Sequence, residues 1–281
     1  MSDQAATLRV LRGGKTGDIA PARRAVAVTG GKGGIGKSTL SVNLAIAYAQ
    51  GGAKTLLVDT DLGMADLNLL LGVAPERNVL DALGGTAVAD VLVDTHGLAL
   101  LPALNGSNVL ANLGPNGLRR ILELVESLAP KFETLVVDVA AGISTAQTTF
   151  AGATSNVVVV VNPEPLSIAD AYACLKVLAT EQGVQHAYIV PNRVLSRAHA
   201  DEVTARLGAL VNRFLDLDIT VLPPIPSDPA VAEAAQIGVP LLIHAPETPA
   251  ARAIRQVAKS LGQLASPQTW WRAPRAQGEA R

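Results

Sequence analysis

"GGKGGIGKST", residues Gly30–Thr39, follows the apolar run AVAVT (Ala25–Thr29) and precedes LSVNLAIAYA (Leu40–Ala49), which has the composition of a helix. Against the spacing G-x-x-x-x-G-K-[ST], the match falls on Gly31, Gly36, Lys37 and Ser38, in the strand, loop, helix order that a phosphate cradle requires. Backbone N–H groups turn inward on the phosphates, Lys37 reaches the β- and γ-phosphates, and the Ser38 hydroxyl is placed to ligate Mg²⁺. A second GGKTG, at Gly13–Gly17, is no such loop. It lacks a preceding strand, and Arg9 stands where its leading glycine belongs.

Outward from the loop, short β-rich runs alternate with amphipathic ones: TLLVD (Thr55–Asp59), TLVVD (Thr134–Asp138), NVVVVV (Asn156–Val161), AYIV (Ala187–Val190) and ITVLP (Ile219–Pro223). This rhythm predicts βαβ units. Continuous apolar runs such as Val157–Val161 read as strands buried on both faces, whereas Leu118, Ile121, Leu122, Val125 and Leu128 share one helical stripe. The expected fold is therefore α/β: a doubly wound, mostly parallel sheet with helices on both faces and ligands at the carboxyl ends of the strands. A chain of 281 residues with 49% hydrophobic and 3% aromatic residues suits one such domain, its core built from Val, Leu, Ile and Ala.

The net charge of −1 gives no chain-wide attraction to nucleic acid. The lone cysteine, Cys174, lies in an apolar helical stretch and reads as a small core residue. The opening MSDQAATLRVLRGG has no apolar signal core, and no apolar stretch approaches the ~20 residues of a spanning helix. These features predict a cytoplasmic protein, at most peripheral to a membrane.

Lys32 is the unusual feature of the loop. The pattern K-G-G-x-G-K-[ST], here Lys32, Gly33, Gly34, Ile35, Gly36, Lys37 and Ser38, resembles the deviant phosphate loop of the MinD/ParA ATPases. In that family the first lysine crosses a nucleotide-sandwiched homodimer, as arginine fingers act in trans. The resemblance implies that Lys32, Lys37 and Asp61 carry the catalysis of ATP hydrolysis. It implies ATP binding by Gly31, Gly33, Gly34, Ile35, Gly36, Lys37, Ser38 and Thr39. Within LLVDTDLGMADLNLLLG, the residue matching Asp61 orients the attacking water and that matching Asp59 supports the Mg²⁺ shell. In TLVVDVAAGIS, Asp138 looks like the acid that binds Mg²⁺ and Gly142 like the switch glycine that senses the γ-phosphate; Val139 departs from the usual Thr or Ser. The segments YIVPNRV and LPPIPSDPAVAEAAQIGVPL resemble the base-binding segments, which implies adenine contacts from Asn192, Pro226 and Asp228.

The termini carry the branch. DQAATLR, Asp3–Arg9, fits the D-Q-A-x-x-L-R pattern of the flagellar-number regulators FlhG and FleN, where it activates the GTPase FlhF. The resemblance implies that Asp3, Gln4, Ala5, Leu8 and Arg9 bind that partner, and that a flagellar transcriptional activator is a second one. The short amphipathic stretch is too small to be stable alone and should order on its partner. A nitrogenase-reductase reading would need cluster-binding cysteines, which a single cysteine excludes. Same-fold alternatives are a septum-positioning ATPase of the MinD type and a ParA-type DNA-partition ATPase. The expected organisation is an N-terminal arm at 1–22, an ATPase domain at 23–265 and a basic tail with Trp270 and Trp271 at 266–281. Near the C-terminus Ile254, Val257, Leu261 and Leu264 form an apolar stripe ringed by Arg252, Arg255 and Lys259. The stripe suits either packing on the sheet or reversible membrane contact.

Overall fold

The computed structural model describes residues 24–61, 66–103 and 114–263, together with Trp271. Asp3–Arg9, the rest of the 1–22 arm, Leu264, Trp270 and most of the tail lie outside the described residues.

Among the described residues nine strands form one sheet: β1 (Arg24–Thr29), β2 (Thr55–Asp59), β3 (Val93–Thr95), β4 (Leu98–Leu101), β5 (Thr134–Asp138), β6 (Asn156–Val161), β7 (His186–Val194), β8 (Asp218–Val221) and β9 (Ile225–Pro226). The order is β3-β4-β2-β5-β1-β6-β7-β8, with β9 against β7, and every pairing is parallel except the antiparallel β3 and β4. The longer helices are α1 (Lys37–Gln50), α2 (Gly114–Leu128), α3 (Thr145–Gly152), α4 (Pro165–Gln182), α5 (Arg197–Phe214), α6 (Pro229–Ile237) and α7 (Pro249–Gln263).

The uninterrupted apolar strands serve two cores because successive side chains point to opposite faces. On β6, Val157, Val159 and Val161 join α2 to α5 in one core, while Val158 and Val160 join α1, α6 and α7 in the other. β1 divides the same way, Ala25 and Ala27 against Val26 and Val28. The stripe on α2 buries Ile121, Leu122, Val125 and Leu128, with Leu118 at its margin.

The C-terminal stripe packs inward. Ile254, Val257 and Leu261 of α7 are buried in the core that α1 shares, so of the two readings the sequence leaves open, sheet packing is the one the fold adopts. Beyond α7 the chain returns to the opposite face, where Trp271 is buried in the other core and bridges Thr154 in antiparallel fashion. Trp271 is thus part of the domain's core rather than of a detached tail. No helix among the described residues is long and apolar enough to cross a membrane.

Candidate nucleotide site

The central strands end together, and their carboxyl ends build the site. β1 leads into the loop at Gly30 and the loop into α1, whose first residue is Lys37. Lys37 is buried, and its Nζ donates to the Lys32 carbonyl at 3.3 Å. Burial lowers its pKa, an effect opposed by the charges of Asp138 and Asp61. A cation kept dry in this way binds a polyphosphate more strongly than a solvated one. Ser38, Thr39 and Gly34 line a cleft of about 340 Å³ at the loop, together with Asp66 and Leu69.

Parallel register sets the acids opposite one another, Asp59 of β2 against Asp138 of β5. Both are buried. Desolvation pushes Asp138 up to about 6, and desolvation together with the charge of Asp138 pushes Asp59 well above the usual carboxylate range. Asp138 Oδ1 accepts from Ser41 Oγ at 2.6 Å and is also hydrogen-bonded by Ser38. The Asp61 N–H donates to Asp59 Oδ1 at 2.9 Å, which ties Asp61 to the buried carboxylate pair. Two buried, mutually repelling carboxylates beside a serine hydroxyl form an all-oxygen set, the chemistry of Mg²⁺. Among the described residues no group of three or more Asp, Glu, His or Cys gathers to hold a metal.

These buried acids carry a stability cost that binding relieves. A carboxyl whose pKa is raised in the folded state holds its proton more tightly there than when unfolded. Stability is therefore lost as pH rises from about 4 through about 6, and the full cost stands above that. Asp138→Asn should raise the melting temperature of the nucleotide-free protein at pH 7.5, by at most about 3 kcal/mol of added stability. Its advantage should shrink towards pH 5, and Mg²⁺-nucleotide should stabilise it far less than the unsubstituted chain. Equal melting temperatures of the two proteins across pH 5–8 would show that Asp138 carries no such cost.

Lys32 is held in its own chain. Its Nζ pairs with Glu164 Oε2 at 3.0 Å, at the mouth of α4, with the side chains 39% and 60% exposed. An ion pair so solvated contributes about 0–1 kcal/mol, so exchanging Glu164 for a phosphate costs little. Gly33 faces Ala141 and Gly142 lies between β5 and α3, where Ser144 and Gln147 form the helix's capping box.

The base-binding candidates separate. Asn192 is buried, and its Nδ2 donates to the Ile35 carbonyl at 2.7 Å. Both Asp228 oxygens are engaged, Oδ1 by the Ala230 N–H at 3.0 Å as the cap of α6 and Oδ2 by the Ala250 N–H at 3.1 Å. Pro226 lies on β9, and neither it nor Asp228 lines the cleft. Arg193 does line it, in the left-handed region at φ 56°, at the register shift between Asn192 and Val194. Bulges of this kind re-aim side chains beside active sites.

Sequence reading alone overlooks Arg193, Ser41, Thr60, Asn162 and Glu164. Thr60 donates through its N–H at 3.1 Å and its Oγ1 at 2.7 Å to the Asp138 carbonyl, locking the ends of β2 and β5 together. The one signal for Ser41 is a polar residue one turn after Lys37 in a run that is otherwise apolar but for Asn43.

Comparison with known proteins agrees with this geometry. The profile of the ParA family, described as the NUBPL iron-transfer P-loop NTPase, matches residues 22–262. The antiactivator FleN of Pseudomonas aeruginosa is 34% identical over 244 residues, covering 86% of this chain and 87% of that protein. The flagellum site-determining protein YlxH of Helicobacter pylori is 37% identical over 155 residues, 54% of this chain and 52% of its own. Among solved structures, the septum site-determining protein MinD of Pyrococcus horikoshii, complexed with Mg-ADP, superposes with a TM-score of 0.71 at 26% identity, covering 86% of this chain and 96% of that one.

Proposed function

The chain belongs to the ParA family of P-loop NTPases, and from that membership we propose that it is an ATP-hydrolysing, dimerising switch that sets flagellar number and placement. The observation that carries this branch is the likeness to FleN along most of the chain, joined to the Asp3–Arg9 pattern. The iron-transfer function in the profile's description is not carried over, since the chain has one cysteine and Cys174 is buried.

Lys37 and the loop's N–H groups neutralise and orient the triphosphate. Ser38, Asp138 and Asp59 would hold Mg²⁺, which would supply charge neutralisation to the polyphosphate. Lys32 leaves Glu164 and reaches the γ-phosphate of a second copy, so that ATP joins two chains. Asp61 orients the attacking water. Gly142 reads the γ-phosphate and passes its loss to α3. The chain is monomeric with ADP or empty, dimeric with ATP, and hydrolysis resets it. The ATP dimer engages the FlhF-type GTPase and a flagellar transcriptional activator.

A synthetic peptide of residues 1–20 should accelerate GTP hydrolysis by FlhF, while a chain lacking those residues should bind ATP as before. A peptide without effect at saturation, with ATP binding retained, would move the chain to the MinD-type, septum-positioning reading. Salt-sensitive, sequence-independent retention of DNA in the ATP state would instead favour the partition reading.

A further inference from the structure

We propose that a cleft at the end of the sheet opposite the nucleotide site is the docking site for the chain's own N-terminal arm, through Leu8–Arg12, and that it holds the arm until a partner competes for it. The docking stands on the fold and the charge pattern; the competition rests on the reading of Asp3–Arg9 as a partner-activating element.

β7 and β8 are parallel, so the segments that lead into them lie side by side at the pole where the strands begin. α4 ends there at the left-handed Gly183, φ 64°, and α5 ends at Phe214. Between the two helix ends is a cleft of about 420 Å³. Ala179, Val184, Phe214 and Leu215 give it an apolar lining, and Thr180 and Asp216 add polar groups. Phe214 is 58% exposed, an apolar ring left open to water beside a recess. The rim is anionic. The last carbonyls of a helix lack partners within it and carry its negative end, and two such ends meet here. Among the described residues Asp216 forms no ion pair, nor do its near neighbours Glu181 and Asp218 at the ends of α4 and β8. An apolar recess with an anionic rim fits a segment that mixes apolar and basic side chains.

The arm has that mixture. Leu8, Arg9, Val10, Leu11 and Arg12 follow one another, and Lys15 comes soon after with no acid between. The arm also joins the domain at the same pole, where β1 begins at Arg24, buried with its guanidinium 4.8 Å from the centre of the Tyr48 ring. β6 alone separates β1 from β7, which puts the cleft about 10–15 Å to the side. Fully extended, the chain from Arg12 to Arg24 spans up to about 40 Å, so its length does not limit the docking. The C-terminal tail is the rival occupant, because Trp271 bridges Thr154 just before β6. Yet Arg272–Arg281 offers arginines and no large apolar side chain to fill the recess. Leu8 and Arg9 belong both to the docking segment and to the Asp3–Arg9 pattern, so the arm cannot serve the cleft and a partner at once.

The full-length chain carries the test. With Val10→Cys and Thr180→Cys, mild oxidation should give an intrachain disulfide, whereas Val10→Cys with Glu233→Cys, on α6 at the other face of the sheet, should not; Cys174 is buried and stays out of the reaction. Phe214→Ala should speed tryptic cleavage after Arg9 and Arg12 roughly 10-fold, the scale of one lost anchoring contact. Asp216→Ala should speed it by less, since a rim charge is solvated, and it carries the same test if Phe214→Ala does not fold. Both variants should also stimulate the partner GTPase more than the unsubstituted chain does. Unchanged cleavage in both variants, or equal cross-linking of Val10→Cys to the two positions, would overturn the docking. Cross-linking of Thr180→Cys to Ala273→Cys in preference to Val10→Cys would overturn it in favour of the tail. Cross-linking and cleavage as expected, with GTPase stimulation unchanged, would uphold the docking and overturn the competition.

Discussion

Asp61→Ala is expected to bind Mg²⁺-ATP and close the dimer while hydrolysing ATP about 10²–10⁴-fold more slowly, the range for loss of a positioned acid-base group. The expectation follows from where the residue sits. Its backbone N–H, which the substitution keeps, is bonded to Asp59, so the buried carboxylate pair and the loop should be undisturbed. What is lost is a carboxylate at the outer edge of the site, where a water attacking the γ-phosphate would have to be held. Size-exclusion chromatography in Mg²⁺-ATP should therefore show a persistent dimer for the variant and a transient one for the unsubstituted chain. A variant that remains monomeric, or hydrolyses at the original rate, would place the timer on another residue.

The two lysines should fail in different ways. Lys37→Ala removes a buried cation whose charge is coupled to Asp138 and Asp61, and nucleotide affinity should drop at least about 100-fold, as when one partner of a buried charge pair is deleted. Lys32→Ala removes an exposed cation whose partner within the chain is Glu164, so most of the affinity should survive. Its loss should appear instead in ATP-driven dimerisation and hydrolysis, because in the proposed dimer its charge would meet a phosphate in a water-excluded interface. Titration with a fluorescent ATP analogue decides between these expectations. Equal loss of binding in both variants would refute the in-trans role of Lys32.

Much of the site was legible because its chemistry is local. Lys37, Ser38 and the loop glycines lie within one strand, turn and helix, where spacing alone dictates geometry. Asp59 and Asp138 each end an apolar run, so a parallel sheet had to bring both to the same edge. Asn192 shows where this reasoning stops. A strand-end asparagine near the base segment resembles an adenine contact, and its amide is also bonded to a carbonyl 157 residues away, a partner that no spacing rule identifies. Asp228 is similar: one carboxylate oxygen caps its own helix, as its position before Pro229 suggests, but the other reaches Ala250 on α7.

What the amino-acid order determined by itself was the α/β class, the two-sided burial of the strands and the identity of the phosphate loop. Each of these follows from periodicities of two and 3.6 residues and from one contiguous motif, quantities that do not depend on what else the chain touches. Tertiary structure alone decided where long-range partners meet. It paired Lys32 with Glu164, turned Asn192 and Asn162 onto Ile35, and left Arg193 to line the cleft. It also settled the C-terminal stripe, since an apolar helix face is equally content against a sheet or a membrane until a complementary surface is within reach. Here α1 offers that surface, and Ile254, Val257 and Leu261 are buried in its core. Trp271 is the clearest case: nothing in its neighbours reveals that it crosses to the opposite face of the sheet and bridges Thr154, because that depends on the path of the whole chain.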